Sequence, residues 1–269
     1  MTYTHILYHA LCQDGFGAAW AVWKKLGESA KYIPIVHGEP FPPLPTNADV
    51  LMVDAAYPRE RHLELKSLVR SVTVVDHHVT NLNSIGDLPD VHIDLNHSGA
   101  VLAWKFMHPD KPVPEILLYV EDRDLWRFKL PYSREVYAFL SSYEYSFGLW
   151  DTFAMNPMAS FRGEGEAILR IINQKVKDMC KSTFWKEIAG YRVPVVNATC
   201  FTSEVGEYLN KLHPDAPFAA FYYDKEKIRC WGLRSQGKMD ISVIAKSLGG
   251  GGHPGAAGFT EPIERKDEK

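Results

Sequence analysis

Cysteine is scarce and scattered: the four in 269 residues, Cys12, Cys180, Cys200 and Cys230, show no CxxC spacing, which excludes a disulfide framework and a zinc knuckle. Cys180, Cys200 and Cys230 read as buried small hydrophobes. Long apolar runs are missing too. No stretch approaches the roughly 20 residues of a membrane span, and Met1 leads straight into the strand-like Tyr3 to His9 without the charged start and apolar core of a leader. Nor is there an excess of positive charge. The formal net charge is −3, from 30 Lys+Arg against 33 Asp+Glu, which argues against long duplex DNA as a partner, since such binding is driven by neutralising phosphates. No repeat, low-complexity tract or Pro/Gly/Ser linker appears, and the tail Glu264 to Lys269 is charged and expected to fray. These absences leave a cytoplasmic chain with no membrane partner as the expectation.

What is present is ordinary globular composition, 46% hydrophobic and 12% aromatic, in a chain long enough for two domains. The first half alternates apolar runs (His5 to Tyr8, Tyr32 to Val36, Val50 to Val53, Val72 to Val75) with helical patterns (Phe16 to Leu26, Arg59 to Val69). That alternation predicts a parallel sheet with crossover helices. Beyond Ser98, a helix N-cap signal, helices are expected over Gly99 to Met107, Pro114 to Val120, Glu135 to Ser142 and Glu164 to Glu187. Strand patterns return at Arg192 to Val196, Phe218 to Tyr223 and Ile228 to Leu233, with helical intervals at Val205 to Leu212 and Ile241 to Leu248. The fold class is therefore α/β: an N-terminal parallel-sheet domain over 1–188 and a smaller α+β domain over 189–269. The boundary is placed near Ala189-Gly190, with the active site expected in the cleft between them.

Parallel sheets bind ligands beyond the carboxyl ends of their strands, and here three strand ends run into polar groups. Ile6 to Tyr8 leads to His9 and Asp14, Val50 to Val53 to Asp54, and Val72 to Val75 to Asp76-His77-His78. Carboxylates gathered there would repel one another unless a cation sat among them. With Asp122 and Asp124, the set offers mixed oxygen and nitrogen donors suited to manganese, magnesium, iron or zinc. Manganese leads these expectations. His5, His37, His62, His92, His97, His108 and His213 read as surface or helix-end residues.

Asp76-His77-His78 after an apolar strand resembles the tripeptide that names the DHH phosphoesterases. Gly250-Gly251-Gly252-His253-Pro254-Gly255-Ala256-Ala257-Gly258 is similar to the glycine-rich motif of their associated C-terminal domain. The two occur in the expected order, and the resemblance spans nearly the whole chain. It implies a phosphoesterase with two divalent ions, expected to be Mn2+, held by His9 and Asp14, a bridging Asp54, His77, and an acidic residue for which both Asp122 and Asp124 qualify. The family has a carboxylate where this chain has Cys12, a softer donor that would favour zinc or iron and leaves the first metal position open.

By the same resemblance His78 would touch the scissile phosphate or assist proton transfer, with Asp76 orienting His77. Gly250, Gly251, Gly252, His253 and Arg234 would clamp the other end of the substrate. Tyr222, Tyr223, Phe201 and Trp231 offer stacking surfaces, although core packing is the stronger reading for them. The implied activity is hydrolysis of phosphodiester or phosphomonoester bonds in short oligonucleotides, cyclic dinucleotides or nucleoside bisphosphates. An inorganic polyphosphate or pyrophosphate hydrolase, and a non-catalytic nucleotide-binding protein with a degenerate metal site, are the alternatives. A homodimer is compatible with the sequence.

Overall fold

The computed structural model describes residues 2–36 and 38–263. His37 and the tail 264–269, expected to be exposed and frayed, lie outside them. Among the described residues no helix is long and apolar enough to cross a membrane. The chain divides into two compact units, Met1–Leu169 and Arg170–Lys269. The sequence put the division near Ala189-Gly190, but those residues turn a hairpin, both with positive φ (50° and 84°). A single helix, Arg162–Cys180, runs through the division without a break, so no composition change marks it.

The first unit holds β1 (His5–His9), α1 (Gln13–Leu26), β2 (Lys31–Ile35), β3 (Asp49–Val53), α2 (Arg59–Leu68), β4 (Ser71–Asp76), α3 (Val79–Ile85) and β5 (Val91–Ile93). After these come α4 (Gly99–Met107), α5 (Glu115–Asp124), α6 (Ser133–Ser141), α7 (Phe147–Ala154) and the start of α8 (Arg162–Cys180). Its five-stranded sheet has the order β2-β1-β3-β4-β5 and every pairing is parallel. Both faces are covered, which is why the strands read as nearly continuous apolar runs. Ile6, Leu51, Val53 and Val75 pack with Phe16, Trp20, Ala100, Trp104 and Leu117 on one face. On the other, Leu7, Val50, Met52, Val72 and Val74 pack with Leu65 and Ile85.

α1 is the central helix of that first layer and is buried over its first ten residues, Gln13 to Val22. It begins at the N-cap Cys12, carries Asp14 in its first turn and Lys24 and Lys25 in its last, and ends at Gly27 with φ 54°. The charges lie as the helix dipole favours.

The second unit continues α8 into β6 (Phe184–Ile188), β7 (Tyr191–Asn197), α9 (Thr202–Leu212), β8 (Ala219–Lys225), β9 (Ile228–Arg234), α10 (Ile241–Ser247), β10 (Gly251–His253) and β11 (Ala256–Pro262). Its sheet has the order β10-β11-β9-β8-β7-β6, with β7 and β8 parallel and the other pairs antiparallel. The expected helix Glu164 to Glu187 therefore ends at Cys180, and its last residues belong to a strand whose Phe184-Trp185 start favours extended backbone.

Several burial expectations are corrected. His5, His62 and His108 are interior residues rather than surface ones, 8%, 1% and 4% exposed. Of the cysteines read as buried, only Cys180 is; Cys200 is exposed and Cys230 half-buried. Trp231 is core, packed with Leu233 and Ile241, and Phe201 serves as the N-cap of α9 with φ 51°.

Candidate metal centre

The order 2-1-3-4-5 reverses direction between β1 and β3, the point where loops leave opposite faces of a parallel sheet and open a crevice. The strand ends there deliver the predicted side chains. β1 ends in His9, β3 runs into Asp54, and β4 ends at Asp76 just before His77 and His78. Asp54 takes a left-handed conformation, φ 54°, a strained turn for a non-glycine residue that Asp tolerates better than most.

Three overlapping groups of donors result: His9, Cys12 and Asp54; Asp54, His77 and His78; and Asp14, His77 and Asp124, each with its ligand atoms within 4.8 Å of one another. His77 Nε2 lies 3.2 Å from Asp54 Oδ1, 3.5 Å from Asp14 Oδ2 and 3.7 Å from Asp124 Oδ2. His9 Nδ1 is 3.5 Å from Asp54 Oδ2. Cys12 Sγ stands 3.5 Å from His9 Nδ1 and 3.7 Å from Asp54 Oδ2, and accepts the Gly15 amide at 3.1 Å.

Asp122 and Asp124 separate cleanly. α5 continues past the predicted Val120 to Asp124, so the two residues sit on one helix, where positions two apart point about 200° away from each other. Asp124 joins the donor group. Asp122 turns the other way, and its two carboxylate oxygens accept the amides of Lys129 at 2.9 Å and Leu130 at 3.2 Å. It holds the loop after α5 rather than facing the donors.

Asp76 also has a different partner from the one expected. Fully buried, it bonds His78 Nδ1 at 2.8 Å through Oδ1 and accepts from Asn81 Nδ2 at 2.6 Å through Oδ2. It therefore orients His78, not His77. Neighbouring residues on the chain leave β4 in different directions, and only the imidazole two positions on can swing back to the carboxylate.

Gly99 and Ala100 contribute what residue-type reasoning overlooked. Their amides, at the start of α4, donate to Asp14 Oδ2 at 2.7 Å and Oδ1 at 3.0 Å. The helix N-terminus thus fixes the Asp14 carboxylate. The signal was there in Ser98-Gly99-Ala100, a cap followed by small residues, but sequence alone does not say which carboxylate such an end will meet. Beneath it Glu121 Oε2 accepts from Ser98 N at 3.0 Å and from His97 Nδ1 at 2.9 Å, while Oε1 accepts from Arg127 at 3.1 Å. Lys105 Nζ is 2.7 Å from His97 Nε2, and since the ammonium can only donate, His97 carries its proton on Nδ1.

The electrostatics are those of carboxylates crowded without enough positive charge. Burial, followed by the charges of Asp54 and Asp124, holds the Asp14 carboxyl well above its ordinary range. Burial opposes ionisation of Asp54 as well, yet the imidazoles of His77 and His9 outweigh it and keep that carboxyl low. His77 is pushed up to about 10: burial disfavours its charge, but Asp54 and Asp14 overcome it. Burial and then Asp54 raise the Cys12 thiol. Protons thus do the work a divalent cation would do better. Asp54 Oδ1 supports that reading: it is buried, it accepts no well-formed hydrogen bond, and its cationic neighbour is His77 Nε2 at 3.2 Å, a proton-bearing group that an ion would displace. The donor set fits one or more divalent ions.

In the second unit the glycine-rich stretch forms the β10–β11 hairpin, with His253 opposite Ala256 and Arg234 of β9 opposite Ala256 on the other side. The amides of Gly249 and Gly250 donate to Lys246 O and Ala245 O at the end of α10. A Cβ on Gly250 would lie 2.0 Å from Gly258 O, so close strand approach is what requires glycine there. Gly251 and Gly252 lie in β10 itself. Arg234 donates to Leu233 O at 2.9 Å and to Ser203 Oγ at 3.3 Å.

No protein-family model matches the chain. Uncharacterized protein R106 of Acanthamoeba polyphaga mimivirus is 29% identical over 283 residues, 94% of this chain, and the chain spans 66% of that protein's length. Among solved structures, the DHH domain of a member of a ribosomal-protein family aligns with TM-score 0.61 and 16% identity over 99% of this chain and 84% of that one. An exopolyphosphatase-related protein from Bacteroides fragilis gives 0.55 and 14%, over 95% and 86%. PggH from Vibrio cholerae, a pGpG-specific phosphodiesterase, gives 0.54 and 14%, over 98% and 94%.

Proposed function

We propose that this chain, which carries the fold of the DHH-domain proteins, is a divalent-metal phosphohydrolase acting on phosphodiester or phosphomonoester bonds of short oligonucleotides, cyclic dinucleotides or nucleoside bisphosphates. The carrying observation is the convergence of His9, Asp54 and His77 from adjacent strand ends with Asp14 of α1 and Asp124 of α5 into overlapping groups of donors. PggH, of the same fold, supports the nucleotide substrate class. Bound divalent cations would lower the pKa of a water molecule and offset the charge that builds at phosphorus.

The chain's own residues do the positioning. Asp54, a member of two donor groups, would be shared between neighbouring ions, His77 would hold one of them through Nε2, and manganese is the ion we expect first. Gly99 and Ala100 hold Asp14 in place. His78, kept in one orientation by Asp76, would act at the leaving oxygen or the scissile phosphate. In the second unit, Arg234 and the segment Gly250 to His253 are proposed to hold anionic substrate, which a rise in KM for His253→Ala would register.

The exopolyphosphatase-related neighbour favours inorganic polyphosphate as a second substrate reading. Dinucleotides, cyclic dinucleotides, adenosine bisphosphate and polyphosphate, assayed side by side with manganese, decide between them. Asp54→Ala is the control: hydrolysis that persists in it, or no hydrolysis of any substrate by the unaltered chain, overturns the enzyme reading in favour of nucleotide binding alone.

A further inference from the structure

We propose that Cys12 is a thiolate ligand and that it makes the His9, Cys12, Asp54 group a site selective for zinc, beside an oxygen-rich site built on Asp14, His77 and Asp124. The inference rests on the metal-centre reading above and deepens it, by giving the two positions different metals.

Geometry brings the three donors together. Sγ of Cys12, Nδ1 of His9 and Oδ2 of Asp54 form a triangle with edges of 3.5, 3.7 and 3.5 Å. With a zinc–sulfur bond of about 2.3 Å and zinc–nitrogen or zinc–oxygen bonds of about 2.0 to 2.1 Å, a tetrahedral ion needs S···N and S···O edges of about 3.5 Å and an N···O edge of about 3.4 Å. The observed triangle is wide enough for such an ion; the Asp14, His77 and Asp124 donors are spaced alike, at 3.5 and 3.7 Å from His77, so it is the sulfur that distinguishes the first position from the second.

Chemistry agrees. Sulfur is a soft donor that favours zinc over manganese or magnesium. Cys12 is the N-cap of the 14-residue α1, and its Sγ accepts the Gly15 amide; this amide alone does not offset the burial and carboxylate charge that keep the thiol protonated, so a bound cation is what would draw off the proton. A capping role alone would not need sulfur, because Ser, Thr, Asn and Asp cap helices better.

The test uses the full chain stripped of metal and titrated with Co2+. A sulfur-to-cobalt charge-transfer band in the near ultraviolet is expected, lost in Cys12→Ser and kept in Cys200→Ser, whose cysteine is exposed. Serine preserves the cap, so Cys12→Ser remains folded by circular dichroism. From an equimolar zinc and manganese mixture the unaltered chain should retain zinc, whereas Cys12→Asp should shift the Zn:Mn ratio toward manganese by roughly tenfold or more. No band in the unaltered chain, or a band surviving in Cys12→Ser, overturns the proposal. If the band is absent while Asp54-dependent hydrolysis persists, the thiolate site alone fails. If the band is present and hydrolysis is absent, the thiolate site stands and the phosphohydrolase reading falls.

Discussion

A Cβ built on Gly99 would lie 2.4 Å from Cβ of Asp54 and 2.7 Å from its Oδ1, so the start of α4 and the residue after β3 touch only because position 99 has no side chain. The same residue sends its amide to Asp14. One missing methyl group thus sets the spacing of two carboxylates, one on α1 and one after β3.

Gly99→Ala should therefore displace Asp54 rather than merely crowd it. We expect a loss of stability of about 1 to 3 kcal/mol and a fall in kcat/KM of roughly 100-fold, as for small misplacements of reacting groups. Thermal melts and steady-state hydrolysis measure the two. An alanine variant with unaltered activity would mean that Asp54 is not held by this contact.

Asp76→Asn leaves the shape of the pair intact but replaces the acceptor that fixes His78 Nδ1. If His78 acts on the leaving group, kcat should fall about 100-fold with little change in KM. Bound metal, measured by elemental analysis, should stay at its original stoichiometry. A loss of metal would instead place His78 among the ligands.

Asp122 and Asp124 should give opposite phenotypes. Asp122→Ala leaves the Lys129 and Leu130 amides without their acceptor, costing about 1 to 3 kcal/mol while metal stoichiometry is preserved. Asp124→Ala should lower metal affinity yet leave the chelated protein as stable as before or more so, because the repulsion it removes from Asp14 and Asp54 offsets the lost contact with His77. Melting temperatures with and without chelator separate the two.

His62 predicts part of the acid sensitivity. It is 1% exposed, and burial, then Lys66, holds its imidazole below the ordinary 6.5, with Arg59 adding to this and Asp90 opposing it. Folding favours the neutral ring, so its contribution is complete above pH 6.5 and declines as pH falls toward its lower folded value. Melting temperature in chelator should drop on the acid side of 6.5, and His62→Leu should flatten that drop. His5 and His108 are shifted in the same direction and will keep part of the slope.

The parallel sheet was legible because strands covered on both faces are apolar throughout, and a polar residue at the end of such a run is conspicuous. That is how His9, Asp54 and Asp76 to His78 stood out. Reading failed where geometry, not residue type, decides: which of Asp122 and Asp124 faces inward depends on α5 running one turn further than expected. The partner of Asp76 depends on how the backbone turns after β4. The three-residue β5 and the β10–β11 hairpin were too short or too glycine-rich to show a period. α8 hid the division of the chain because a helix passing between two units carries no break in pattern.

The left-handed backbone at Asp54 imposes two filters on what evolution can leave at that position. Asparagine and glycine satisfy the backbone filter and fail the chemical one, so saturation of this codon should yield them as folded, inactive proteins. Valine, isoleucine and threonine fail at the backbone itself and should be depleted even from a screen that selects only for soluble expression.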